Sequence, residues 1–492
     1  MTSFFNDRLQ EWLRFQNINY AESVTGSRYL ALVDLKSFLE PQSVAIIGAS
    51  DTPGKAGHGV MSNLLANEYA GRIFPVNPKA EKIMGHRVYA SVRDLPETPD
   101  VAVFVIPASA VVKILEECAE KGIKSVVIES GGFAEVDKQG ANLENRIIET
   151  ARNSGMRIVG PNTSGIISTP GKFITTFFPL GKVKRGSVSY VAQTGNFATH
   201  TMKWILSAEN YGVSRVIGLG NKCDIGEAEV IEFLGDDPET RVICVYLEGF
   251  KDGRHFIEAA RAVSKKKPII ALKGGVTAGG TRAIATHTAS LATDAEILDG
   301  VFKQARVARI QRYTDLIDVP KAMAFQPLPK GNRVAIFAPS GAMGVLAADA
   351  CEKLGLVVVP LSEGTLRKLQ EITPPWLKVS NPVDIWAAIQ VHGLERGYQL
   401  GMEAALDDEN VDAVISVLLL TREGGPTNLE FIPELHQRAP TKPLLIAVSG
   451  DKESFDKAKE FLENRAIPVY LPVDQACEAL ATMYRSAELM KR

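Results

Sequence analysis

One of the seven histidines in this 492-residue chain, His287, has surroundings suited to chemistry. It lies within VTAGGTRAIATHTASLA, a run of small residues that follows the apolar stretch PIIALKGG. Small, Gly-rich sequence is expected to make a mobile or tightly wound loop, and a side chain held on it could serve more than one site. A histidine in an Ala/Thr-rich loop can equally be structural. What favours the chemical reading is a carboxylate on a nearby strand, because RVICVYLE ends in Glu248. If the two strands run parallel, their ends share one sheet edge. Unless it is simply a solvated strand end, a carboxylate there accepts the proton of one imidazole nitrogen. That fixes the tautomer and leaves the other nitrogen as a nucleophile. The same edge is expected to supply two helix N-termini, one after Gln193-Thr194-Gly195-Asn196 and one after Asn221-Lys222-Cys223-Asp224. Their free N–H groups and dipoles would hold a phosphoryl group on the histidine. Lys222 could add charge, although a loop lysine is usually just solvated.

A second candidate is the loop after the first apolar strand, SVAIIGAS. It runs from Gly48-Ala49-Ser50 through Thr52-Pro53-Gly54-Lys55-Ala56-Gly57. Glycines allow backbone to approach a phosphate, and the helix that follows offers free N–H groups. The loop could also be a tight turn that binds nothing. NAD usually takes an acidic residue at the end of the second strand, but here that strand ends Val76-Asn77-Pro78-Lys79. A cation suits a phosphate on the ribose, as in CoA or NADP, better than a free diol.

These residues need a scaffold of parallel sheet. Residues 1–38 read as a helical leader, with Phe4, Leu9, Trp12, Leu13 and Phe15 roughly on one face. From residue 39, apolar strands alternate with amphipathic helices through SVAIIGAS, GRIFPVNP, DVAVFVIP, SVVIESGG and MRIVGPN. The Gly/Pro/Lys stretch STPGKFITTFFPLGKVKRG suggests a boundary. The alternation resumes with SVSYVAQ, SRVIGLGN, RVICVYLEG and PIIALKGG, and again after the linker QPLPKGN with RVAIFAPSG, DAVISVLLL and PLLIAVSG. Strands that are apolar throughout, separated by helices, indicate parallel sheets covered on both faces. The expected fold class is therefore α/β, with three doubly wound domains in series at 39–170, 171–327 and 328–492.

Composition narrows the function classes. With 55 basic and 57 acidic residues, nothing favours nucleic acid or an anionic membrane surface. The five cysteines are scattered without a CxxC, which argues for reduced thiols and against a thiolate zinc site. No metal site is expected on this chain. Asp7, Arg8 and Glu11 interrupt any signal-peptide core, and no apolar run reaches the ~18–20 residues that span a membrane. The expected location is cytoplasmic.

Over residues 39–490 the chain resembles the alpha subunit of ADP-forming acetyl-CoA (acyl-CoA) synthetases, relatives of the succinyl-CoA synthetase alpha subunit. The resemblance is carried by SVAIIGAS…GKAG, FPVNPK, VIPA, ESGGFAE, GPNTSG, VAQTGNFA, GLGNKCDIGEAE, YLEG and HTASLA. It implies a Rossmann-like CoA-binding domain followed by two flavodoxin-like domains. It also implies a reversible reaction: acyl-CoA and phosphate give an acyl phosphate and CoA, and the phosphoryl group passes to a histidine and then to ADP. His287 matches that histidine and Glu248 its supporting glutamate. Gly48, Ser50, Lys55, Asn77, Lys79 and Pro107 match the CoA site. Asn162 and Thr163 of GPNTSG, with Gln193, Thr194, Gly195 and Asn196, match the acyl and phosphate site. The family often has Cys where Thr163 stands and Ser-Gln-Ser-Gly where this chain has Ala192-Gln193-Thr194-Gly195, so the pocket differs. No ATP-grasp segment is recognisable. A separate ATP-grasp beta subunit, carrying ADP/ATP and Mg2+, is therefore expected, in an α2β2 assembly acting on a small carboxylic acid or its acyl-CoA. The role expected of the third domain is packing and subunit contact. Two other readings compete: a non-catalytic CoA-binding regulatory module and an NADP-dependent dehydrogenase. Intact His287 and Glu248 speak against the first, and the lack of an acid/base set beside the glycine loop against the second.

Overall fold

The computed structural model describes residues 35–193, 195–287, 295–424 and 427–492. Thr194 and the first 34 residues of the expected leader lie outside the described residues. The chain divides after Arg309 into two compact units, and the first contains two large sheets and a small antiparallel pair, Lys82–Ile83 with His86–Arg87.

The first sheet is built from β1 (Ser43–Ile47), β2 (Arg72–Val76), β3 (Val101–Phe104), β4 (Ser125–Ile128) and β5 (Arg157–Val159). Its order is β2-β1-β3-β4-β5, with every pairing parallel. β1, β3 and β4 are buried along their whole length, as continuous Val/Ile runs covered on both faces must be. The order reverses between β1 and β3, so their C-terminal ends open onto a crevice.

The second sheet contains β6 (Ile166–Ser168), β7 (Phe173–Ile174), β8 (Arg185–Ala192), β9 (Val213–Gly218), β10 (Val242–Leu247), β11 (Ile269–Lys273) and β12 (Ala308–Arg309). Its order is β12-β11-β10-β8-β9-β6-β7. All pairings are parallel except those of β6 and β7. Here the reversal falls between β8 and β10. The stretch read from sequence as a Gly/Pro boundary thus contains β7, and β6 precedes it. Gly171 and Lys172, the latter with φ +52°, turn the chain between them.

The connection from β7 to β8 clamps the helix Ala56–Ala66, which carries the first glycine loop. Asn63 Nδ2 donates to the Thr176 and Phe178 carbonyls at 2.8 and 2.9 Å, and its Oδ1 accepts from Leu180 N at 2.8 Å. A Cβ on Gly59 would lie 1.7 Å from the Phe177 carbonyl oxygen, so only glycine permits this approach. Below the second sheet, fully buried Arg215 pairs with Asp237 at 3.2 Å and also with Glu40 and Ser168.

The second unit holds a sheet of β13 (Arg333–Ala338), β14 (Val357–Val358), β15 (Val383–Asp384), β16 (Ala413–Leu420), β17 (Leu444–Gly450) and β18 (Val469–Tyr470). The order is β14-β13-β16-β17-β18, with β15 also on β13. Its core is its own, running from Ala335 to Val469. The helix Asp315–Phe325 packs on the C-terminal helix Val473–Lys491, and buried Lys321 pairs with Glu463 at 3.1 Å. Among the described residues no helix is long and apolar enough to cross a membrane.

Candidate functional site

At the crevice of the first sheet, Gly48 leaves β1 with φ +94°. A Cβ there would come within 2.7 Å of both Val105 O and Ile106 Cγ2, so the loop after β1 and the loop after β3 meet through glycine. Gly57, at the start of the following helix, permits a similar approach: its Cβ would lie 2.1 Å from Gly48 O. Asn77 reaches back from the end of β2, donating to Ala49 O at 2.8 Å and accepting from Lys79 N at 2.9 Å. Ser50 is buried, and its Oγ accepts from Thr52 N at 3.1 Å. Lys55 caps the helix Ala56–Ala66 with extended backbone, and Pro107 caps the helix Ala108–Lys121. Lys55 and Lys79 are exposed at the rim. The six residues read as a CoA site thus gather at one crevice, with two cations facing solvent and a backbone surface kept bare by glycine.

The two sheets are joined near their C-terminal edges by the Gly160–Gly165 loop. Asn162 has φ +57°, donates to Asn221 Oδ1 at 3.4 Å, and its amide donates to Ser130 O at 2.9 Å. Thr163 is buried; its Oγ1 donates to Gly218 O at 2.6 Å and accepts from Gly165 N at 3.1 Å. Asn221 in turn donates to Glu135 at 2.7 Å and to Glu144 at 2.8 Å. Burial pushes Glu135 up, but bonds from Asn221 and from the Gly132 and Phe133 amides outweigh it and hold the carboxyl below its usual range. Burial wins at Glu144, whose pKa is raised. The neighbouring Cys223 thiol is pushed up by burial, which removes it as a nucleophile at neutral pH.

At the second reversal point, Gln193 follows β8 and Glu248 follows β10. The Gln193 amide oxygen accepts from Glu248 N at 2.9 Å, Gly249 N at 3.1 Å and Lys222 Nζ at 3.1 Å. One side chain therefore fixes the backbone that presents Glu248. Glu248 is only 6% exposed, which rules out the solvated strand end, and Tyr246 Oη donates to its Oε1 at 3.3 Å. Lys222 departs from the sequence expectation. It is 7% exposed, its φ is +58°, and its ammonium pairs with Glu227 at 3.1 Å and donates to Gly249 O at 2.8 Å. Burial lowers its pKa and Glu227 opposes the shift.

Helices do follow both expected loops, each with its own start. Gly195 and Asn196 are exposed and lead into a π-helical turn, Phe197–Thr201, before the helix Met202–Ala208. Asn221–Asp224 is loop, and its helix begins later, at Glu227 after Gly226. The loop's amides bond elsewhere: Asn221, Cys223 and Ile225 N donate to the Pro161, Gly160 and Ile158 carbonyls at 2.8, 3.0 and 3.1 Å.

β11 pairs with β10 in register, Leu247 against Lys273, so Glu248 and the start of the segment leading to His287 do share an edge. A Cβ on Gly274 would meet Tyr246 Oη at 2.7 Å and Glu248 Cγ at 3.6 Å. The segment expected as loop is the helix Ala278–His287. Thr277 Oγ1 accepts from Gly280 N at 3.1 Å at its start, and Ala and Arg supply the helix propensity that its glycines lack. His287 closes this helix; its side chain lies outside the described residues. Sequence reading passed over Lys273, buried at the end of β11. The available signal was a lysine ending an otherwise apolar strand. Among the described residues no group of three or more His, Cys, Asp or Glu is placed to hold a metal ion.

With this geometry in view, the likeness to known proteins is specific. A family model described as a CoA binding domain matches residues 42–169, and one described as a succinyl-CoA ligase like flavodoxin domain matches residues 185–323. The chain is 40% identical over 457 residues to acetate–CoA ligase [ADP-forming] II of Archaeoglobus fulgidus, covering 92% of this chain and 67% of that one. It is 38% identical over 459 residues to the alpha subunit of acetate–CoA ligase [ADP-forming] I of Pyrococcus furiosus, covering 92% of this chain and 98% of the subunit. Among solved structures, the dinucleotide-forming acetyl-coenzyme A synthetase 1 of Ca. Korarchaeum cryptofilum, in complex with phosphate and ADP, is similar with a TM-score of 0.84 and 31% identity, over 93% of this chain and 98% of that one.

Proposed function

The chain belongs to the family of ADP-forming acetate–CoA ligases, and on that premise we propose that it is the phosphohistidine-carrying alpha subunit of an ADP-forming acyl-CoA synthetase. The observation that carries this reading is the arrangement around Gln193. One buried amide oxygen holds the Glu248 backbone, Gly249 and Lys222 together where the segment bearing His287 begins.

The chemistry runs in three reversible steps. A phosphate oxygen bonds to the acyl carbon as the thioester C–S bond breaks, and the departing thiolate of CoA takes the proton that phosphate gives up. An imidazole nitrogen of His287 then bonds to phosphorus while the acyl carboxylate leaves. Finally a terminal oxygen of ADP takes the phosphoryl group, giving ATP and free histidine. Glu248 accepts the N–H of the other imidazole nitrogen, which fixes the tautomer and stabilises the positive charge that develops on phosphorylation. Asn162, Thr163, Gln193, Thr194, Gly195 and Asn196 surround the acyl and phosphate groups.

CoA is a substrate suited to the first crevice. Its pyrophosphate requires backbone unobstructed by Cβ, which Gly48 and Gly57 provide. Its ribose phosphate requires cations, and Lys55 and Lys79 stand at the rim. Ser50, Asn77 and Pro107 complete the contact. We assign CoA binding to 39–170, phosphohistidine chemistry to the domain expected at 171–327 and a second flavodoxin-like domain to 328–492, although the compact units divide earlier, after Arg309. The nucleotide and Mg2+ belong to an ATP-grasp beta subunit, in an α2β2 cytoplasmic enzyme for a small carboxylic acid. A separate subunit is supported by the Pyrococcus relative, which is named an alpha subunit.

The test is thermal denaturation with added cofactor. CoA at 100 times its Kd stabilises the folded chain by ~2.7 kcal/mol, seen as a raised Tm, whereas NADP leaves Tm unchanged. Stabilisation by NADP and not by CoA would turn the first crevice over to the dehydrogenase reading.

A further inference from the structure

Lys273 is the last residue of β11 and leads into Gly274-Gly275 and the helix Ala278–His287. It is only 5% exposed. A lysine at a strand end ordinarily carries its ammonium into water, and an ammonium kept out of water calls for an anion. The charged groups acting on it are Glu248 after β10, Lys222 in the loop after β9 and Arg309 of β12. Lys222 is already matched by Glu227 and Arg309 by Asp299. The ammonium of Lys273 donates to Gly274 O at 2.5 Å, and no ion pair within 4.0 Å involves it among the described residues. Among the described residues Glu248 is thus the one anion acting on it, at more than ion-pair distance.

We propose that Lys273 is a positioning residue for phosphoryl transfer, its ammonium supplying the counter-charge to a phosphoryl dianion brought beside Glu248. The proposal deepens the phosphohistidine reading and rests on it. Its physical basis is a conflict inside that mechanism. The carboxylate that orients the imidazole repels the phosphoryl group that the imidazole receives, and in a buried site the repulsion is poorly screened. A cation at the root of the same segment, not ion-paired to any carboxylate among the described residues, offsets that repulsion. Burial depresses the Lys273 pKa to about 8, Glu248 opposes the shift, and Lys222 and Arg309 add to it. The ammonium is therefore charged at neutral pH and lost as pH rises through about 8.

The experiment measures the initial rate of phosphohistidine formation on the chain, assembled with its ATP-grasp partner and ATP–magnesium, across about pH 6.5 to 9.5. Wild type, Lys273→Arg and Lys273→Met are compared after alkaline quenching, with circular dichroism to verify folding. The wild-type rate is expected to fall above pH about 8. Lys273→Arg should keep the neutral rate within roughly threefold and lose that alkaline fall, because guanidinium stays charged. Lys273→Met should be slower by roughly tenfold or more, the loss expected for one charge-assisted contact. Wild-type rate and an unchanged alkaline fall in Lys273→Met would overturn the proposal. If that variant does not fold, an alkaline fall retained in Lys273→Arg overturns it instead. No phosphorylation of any of the three, wild type included, would overturn the phosphohistidine reading itself.

Discussion

At the scale of single residues, the site depends on polar groups held out of water by specific partners. Glu248 is presented by the Gln193 oxygen, which its own amide and that of Gly249 share. Replacing Glu248 by Ala should lower phosphohistidine formation by roughly 100-fold, the scale of a lost proton-accepting partner, with little change in melting temperature. An unchanged rate would remove Glu248 from the mechanism. Lys222 and Glu227 form a buried pair, so Lys222→Met leaves a carboxylate uncompensated. Urea denaturation should register a loss of ~3–5 kcal/mol; a loss below about 1 kcal/mol would mean that the pair is not closed in solution. Glu248 and His287 stood out in the sequence because both follow apolar strands that had to end on one edge. The inward turn of Lys222 did not, because a lysine in an Asn-Lys-Cys-Asp loop has the same composition whether it faces water or Glu227. Lys273 was hidden for the opposite reason: its neighbours read as an apolar strand.

At the scale of elements, glycine sets how closely helices and loops approach the sheets. Gly48→Ala would place a methyl within 2.7 Å of Val105 O at a φ of +94°. Isothermal titration should find CoA affinity reduced by at least roughly tenfold, because strain of ~1–2 kcal/mol at this position displaces the loop; wild-type affinity would move the CoA site elsewhere. Gly59→Ala tests the clamp on the same helix. Its Cβ would meet the Phe177 carbonyl at 1.7 Å, and overpacking of this kind costs ~1–3 kcal/mol, readable as a lower Tm. The long parallel strands were legible because each carries Val or Ile in a largely apolar run, as in VICVYL and AVISVLLL. Short elements were not: β6 and β7 have three and two residues, too few for any period to show. The π-helical turn at Phe197–Thr201 has no distinctive composition either, and Ala and Thr in the segment before His287 were read as loop although they continue a helix.

At the scale of the whole molecule, the two large sheets of the first unit and their connections carry all the described site residues. The second unit has a separate core from Ala335 to Val469. A fragment spanning Ile310–Arg492 should therefore fold alone, giving a cooperative thermal transition; a non-cooperative melt would show that it needs the rest of the chain. The central claim concerns the first unit, and intact-mass spectrometry tests it most directly. The chain is incubated with its ATP-grasp partner and ATP–magnesium at mildly alkaline pH, where phosphohistidine survives, beside His287→Ala. A mass increase of one phosphoryl group on the wild-type chain, absent from His287→Ala, is the predicted result. No increase in the presence of a partner of verified activity, or an equal increase in His287→Ala, would contradict the account.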